Sequence, residues 1–127
     1  MNRRFFLCAM SMLLLAALSA GCLGSKSGMT ATLTADTANK LELVDWGKGD
    51  KSLRVKLKNK SNQKVPEGGE ALFVKWYDKQ GVPLGMPDRI MNFHLQAGMA
   101  EKYEISFDRM DQVGKVEIGI ADARRGI

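Results

Sequence analysis

Histidine occurs once in these 127 residues, at His94, and cysteine twice, at Cys8 and Cys22. A catalytic histidine needs a nucleophile to activate and an acid to orient it. No such motif accompanies His94, and its alternation with Phe93 and Leu95 gives it a structural or surface role. A zinc centre needs several ligands, so a lone histidine without usable cysteine argues against one. Calcium loops repeat Asp at every second position. Asp36, Asp45, Asp50, Asp78, Asp88, Asp108 and Asp111 lack that spacing and cluster near turns, where Asp bonds nearby backbone. No cofactor or metal is expected, and the sequence identifies no small-molecule substrate. Carboxylates paired by the fold, as a hydrolase would use, stay open as an alternative. Helical periodicity is also missing: residues 108–113 have room for one short turn, and nothing longer competes. The formal charge of +5 is mild and does not point to nucleic acid.

What is present begins at the N-terminus. Arg3 and Arg4 give a positive start, and residues 7–18 are apolar apart from Ser11. That run is short for a bilayer span. Small residues Ser19, Ala20 and Gly21 then precede Cys22. Leu18-Ser19-Ala20-Gly21-Cys22 resembles the lipobox of bacterial lipoprotein precursors, in a looser variant with Ser19 where Leu is commonest. The resemblance implies that residues 1–21 are a signal peptide, and that Cys22 becomes the first residue and carries lipid. An ordinary secretory signal or an uncleaved anchor is the alternative. On the lipoprotein reading Cys8 is discarded and Cys22 is consumed, so no disulfide, thiolate nucleophile or sulfur metal site remains. Each buried methylene contributes roughly 0.8 kcal/mol, and a single fatty chain binds only reversibly. Lipoproteins of this kind carry two or three. Leu23 stands where aspartate usually signals inner-membrane retention in Gram-negative members. Its presence implies the outer membrane, facing the periplasm; in a Gram-positive cell the place would be the outer face of the plasma membrane.

Removing 21 of 127 residues leaves 106, enough for one domain with one core, and a net charge of +3. Residues 22–29 are rich in Gly and Ser and read as a lipidated flexible tether. Such a coil spans roughly 15 Å, or about 28 Å when stretched, which keeps the domain against its membrane. Residues 30–127 read as all-β. Period-two alternation recurs at 31–34, 41–46, 53–58, 71–77, 91–95, 103–107 and 116–120. Leu53, Val55 and Leu57 point inward, and Leu72, Val74 and Trp76 share a face opposite Phe73 and Tyr77. Residues 59–62 and 78–81 carry turn chemistry, and Pro83 and Pro87 make the segment between them a loop or irregular edge. Six or seven short strands without a helix predict an antiparallel immunoglobulin-like β-sandwich, with a small barrel as the rival.

Residues 53–61 and 73–81, ending in Asn59-Lys60-Ser61 and Trp76-Tyr77-Asp78-Lys79-Gln80-Gly81, resemble the FxLYD-like and YcfL-like envelope domains. The corner at 95–98 and the strand at 102–105 extend the likeness, which covers about half the chain. It implies the same immunoglobulin-like fold on a lipoprotein and assigns no activity.

Two surfaces carry a functional reading. Lys48, Lys51, Arg54, Lys56, Lys58, Lys60 and Lys64 fall together, with Asp50 the one acid among them. They form a solvated face that discourages aggregation, a contact for anionic headgroups at about 1 kcal/mol per cation, or a contact for an acidic partner. Phe73, Trp76 and Tyr77 are either core or an exposed partner patch, and Met86, Met91 and Met99 are open to both roles. The expected function is a non-enzymatic, lipid-anchored binding module for another envelope protein. The alternative is a structural or assembly subunit, and a hydrolytic enzyme is a weaker one.

Overall fold

The computed structural model describes residues 22–26 and 28–127, so the expected leader at 1–21 lies outside the described residues. Eight strands follow in order: β1 Cys22–Lys26, β2 Met29–Leu33, β3 Leu41–Lys48, β4 Ser52–Asn59, β5 Glu70–Asp78, β6 Asp88–Ile90, β7 Ala100–Ser106 and β8 Val113–Asp122. They build a five-stranded sheet, β1-β2-β8-β5-β6, and a three-stranded sheet, β3-β4-β7. The only other regular elements among the described residues are single 3-10 turns at Thr37–Asn39 and Met110–Gln112. The domain is all-β. Apolar side chains from both sheets join one core cluster, with Leu41, Leu53 and Leu57 on one side and Leu72, Val74, Trp76 and Ile118 on the other.

Several strand expectations hold because alternation matches burial. Leu53, Val55 and Leu57 are buried while Arg54 and Lys58 are exposed. β3 departs from simple alternation. A bulge between Leu43 and Asp45 shifts the register, so Trp46 faces Val55 and is 3 % exposed. Strict period two from Leu41 would have turned that indole to water; the extra residue turns it into the core.

Four expectations are corrected. Among the described residues there are eight strands, not six or seven, and β2 runs parallel to β8. Cys22–Lys26, read as part of a loose tether, lies as β1 on the edge of β2, with Cys22 opposite Thr32 and Lys26 opposite Met29. Residues 91–95 form no strand. Asn92 takes a φ of 61°, which turns an extended run aside, and only Leu95 bridges, to Val65. Phe93 and Leu95 nonetheless stay buried and His94 exposed. The edge of the larger sheet is completed instead by β6 against Leu72–Val74 and by two bonds at the end of β5, from Asp78 N–H to the Val82 carbonyl and from Leu84 N–H to the Trp76 carbonyl (both 2.8 Å).

Asn59 ends β4 and is completely buried. Its Nδ2 donates to the carbonyls of Gln63 (2.7 Å) and Leu95 (3.0 Å). Its Oδ1 accepts from the backbone N–H of Ser61 (2.9 Å) and from the Ser61 hydroxyl (2.6 Å). Its backbone bonds the corner beyond Leu95, donating to Met99 and accepting from Gly98 (both 2.8 Å). All the bonding capacity of a carboxamide is used. Asn59→Ala leaves a buried carbonyl without its donor and should lower stability by about 2–3 kcal/mol. Asn59→Asp should cost as much, because a carboxylate cannot donate to Gln63 and Leu95. Urea unfolding of both variants measures this, and a loss below about 0.5 kcal/mol in either would contradict the assignment.

Candidate functional site

The solvent face of the three-stranded sheet holds the central part of the basic stripe. Each cation has defined neighbours. Lys58 stands between Glu42 on β3 and Ala100 on β7; Lys56 between Asp45 and Lys102; Arg54 between Gly47 and Glu104. Acids interleave the bases, so this face carries mixed charge and is no cationic patch. The other lysines are scattered. Lys48 is half-buried at the end of β3, Lys51 is exposed in the turn before β4, and Lys60 and Lys64 are exposed beyond its far end. An eight-residue strand separates those ends by roughly 26 Å, so the seven cations form three groups.

The same face bears a shallow, open concavity of about 550 Å³. Asp45, Arg54, Lys56, Lys102 and Glu104 supply its charge, and Trp46, Val55 and Tyr103 also line it. Gly47 makes room for the Arg54 side chain: a Cβ there would sit 3.3 Å from Nη2 of Arg54. On the other face of β7, where its ring packs on Phe93 at 5.0 Å, the Tyr103 hydroxyl donates to Glu101 (3.1 Å). Burial first, then that carboxylate, pushes the Tyr103 phenol well above its usual range.

The aromatic patch does not exist as a surface. Trp76 is 1 % exposed and Phe73 6 %. The Trp76 ring stacks on Phe107 at 4.4 Å and 11°, and its Nε1 donates to Asp88 (2.8 Å). Arg109 lies over the outer ring, 5.5 Å from its centroid. Phe73 is on the opposite face of β5, where the chain's last turn covers it; a Cβ on Gly126 would lie 3.6 Å from its ring. Tyr77 alone of the three is half-buried, flanked by Lys75 and Lys115 at 5.5 and 5.2 Å. Met86, Met91 and Met99 are exposed, the first two at either end of β6.

His94 is exposed, with its ring nitrogen 3.1 Å from Gln96 Nε2. The Asp residues are dispersed: Asp78 accepts from the N–H groups of Gln80 and Val82 (both 2.9 Å), Asp88 serves Trp76, and Asp45 belongs to the charged face. Among the described residues no three His, Cys, Asp or Glu side chains are grouped to hold a metal. None of their helices is long and apolar enough to cross a membrane.

Sequence reasoning missed three residues. Glu104 and Lys102 complete the charged face, but their pairing with β4 depends on strand order. Thr37 is buried, accepts from the N–H of Ile120 (2.8 Å) and bonds the hydroxyl of Thr34 (2.6 Å). Its sequence surroundings carry no signal of that role. Compared with known proteins, the chain matches no family model, no curated protein and no solved structure.

Because its indole is a core group, Trp76→Ala should lower stability by about 3–5 kcal/mol. Thermal or urea unfolding measures it. A loss under about 1 kcal/mol would return Trp76 to the surface.

Proposed function

We propose that this chain is a lipid-anchored, non-enzymatic module of a bacterial envelope. In this reading residues 1–21 are removed, lipid on Cys22 holds the protein at the membrane, and an immunoglobulin-like domain meets another envelope protein there. Leu23 favours the outer membrane, facing the periplasm. Two sheets facing one core support the immunoglobulin-like description.

The observation that carries the reading is the position of Cys22. It is the residue on which the leader pattern ends and also the first residue of β1. A cut before it would leave the whole of β1–β8 intact. The lipid would then attach to an edge strand bonded to β2, whose Met29 and Ala31 are completely buried. The anchor would connect to the core through a ladder, leaving less slack than a free coil allows. A surface role suits the rest of the molecule: its charged groups lie dispersed over one sheet face, and its histidine is solvent-facing beside Gln96.

Expression in a bacterial envelope with a fatty-acid label tests the anchor. The parent chain should incorporate label, lose residues 1–21 by mass spectrometry and fractionate with membranes. Cys22→Ala should lose the label. Label retained on that variant, or a mature parent chain starting elsewhere, would overturn the proposal.

A further inference from the structure

Four strands lie at sheet edges: β1 and β6 in the larger sheet, β3 and β7 in the smaller. An edge strand presents a row of N–H and C=O groups able to pair with another strand, and proteins blunt such edges with bulges, short lengths or charges. β6 is only three residues long, and β3 carries its bulge at Leu43/Asp45. β7 differs. It pairs with β4 over seven residues, from Lys58 opposite Ala100 to Ser52 opposite Ser106, without a register shift.

The direction of its backbone groups follows from the ladder. Asn59 N–H bonds the Met99 carbonyl, and Phe107 N–H bonds the Lys51 carbonyl (2.8 and 2.9 Å). Both are hydrogen-bonded pairs of one antiparallel register, in which such pairs recur at every second residue. Residues 101, 103 and 105 therefore turn their N–H and C=O groups to β4. Ala100, Lys102, Glu104 and Ser106 turn theirs to the open edge, where no described strand lies.

We infer that β7 is a homodimerisation edge, pairing antiparallel with the β7 of a second copy about a two-fold axis at Tyr103. The charge pattern selects this occupant and register. With the axis at Tyr103, Lys102 faces Glu104 of the other copy, Glu104 faces its Lys102, and Ala100 faces Ser106. Every group that points to the open edge is then paired. Moving the axis to residue 102 sets Lys102 against its own copy, and moving it to residue 104 does the same for Glu104. Both registers oppose like charges. The axis residue itself becomes a non-hydrogen-bonded pair, the closer kind, with two Tyr103 rings side by side.

A second observation within one copy fits the same partner. Lys56 and Lys102 are directly opposite in a non-hydrogen-bonded pair, so two like charges are held close. The second copy would bring Glu104 beside Lys102 and relieve that contact. The two smaller sheets would join into one six-stranded sheet. The pairing goes beyond the lipid reading and does not depend on it.

Two differently tagged full-length copies, co-expressed and purified from whole-cell lysate in mild detergent whether or not they fractionate with membranes, give the test. Parent copies should co-purify. Lys102→Glu in both copies, or Glu104→Lys in both, opposes two like-charged pairs across the axis and should reduce co-purification about tenfold or more. A Lys102→Glu copy with a Glu104→Lys copy restores opposite charges at both pairs and should recover the parent level. Both side chains are exposed, and recovery in the mixture also shows that each variant folds. Parent copies that fail to co-purify, single-type variants that pair as well as the parent, or a mixture that stays apart would each overturn the inference. The last outcomes are those expected if the charges on β7 serve only to keep a solvated edge apart.

Discussion

The buried carboxamide of Asn59 is the constraint on which the arrangement of the two sheets depends. β4 belongs to one sheet and β5 to the other, so the chain must leave the smaller sheet after Asn59. Leaving a sheet strands backbone polar groups in an apolar interior, and each unpaired one costs on the order of 1–3 kcal/mol. Asn59 meets that need from a single position. Its amide donates into the carbonyls of Gln63 and Leu95, its oxygen holds Ser61, and its backbone holds Gly98 and Met99. The Val65–Leu95 bridge lies beside it, with bonds of 2.9 and 2.8 Å in both directions. The turn out of β4 and the corner into β7 are thus fixed against one another. The register of β7 on β4 begins at that corner, so the order of the charged rows on the smaller sheet descends from it.

This division of labour explains what was legible in the sequence. Residues whose role depends on their own strand could be read directly. Leu53, Val55 and Leu57 alternate with cations, and the burial follows. The turn at 78–81 works as its chemistry requires: Asp78 accepts two backbone N–H bonds and Gly81 takes a φ of 84°. Asn59 and Ser61 could be recognised as turn formers, but their depth could not. It comes from the 91–99 segment folding over them, which is a long-range event. Period two also misleads where the backbone adds a residue. Trp46 reads as outward from Leu41 and is brought inward by the bulge at Leu43/Asp45. In 91–95 the alternation of Phe93, His94 and Leu95 predicts burial correctly and a strand wrongly, because a left-handed Asn92 shortens the extended run.

The candidate surfaces failed or changed for a related reason. A sequence shows the charge on one strand, whereas a sheet face is made from three. Arg54, Lys56 and Lys58 look like a basic stripe until Glu42, Asp45 and Glu104 are placed beside them. Cross-strand neighbours decide the local field, since residues directly opposite lie about 5 Å apart and the Debye length at physiological salt is about 8 Å. Likewise Phe73, Trp76 and Tyr77 are consecutive enough to suggest a patch. They are divided by the pleat and by what covers each face: Phe107 over Trp76, the C-terminal turn over Phe73, and lysines beside Tyr77.

Anchoring and edge chemistry bear on each other through geometry. β1 is on the larger sheet and β7 on the smaller, so an anchor at Cys22 and a strand added at β7 use different edges and do not compete. Confinement to a membrane would favour the second event, because tethered copies meet at a raised effective concentration. A short, largely polar strand contact that would be weak between freely diffusing copies gains most from such confinement. With no thiol left for covalent pairing in the proposed mature chain, the association inferred above rests on backbone pairing and charge register. Both are properties of β7, where an unbroken seven-residue ladder to β4 keeps Lys102 and Glu104 aimed outward on one face.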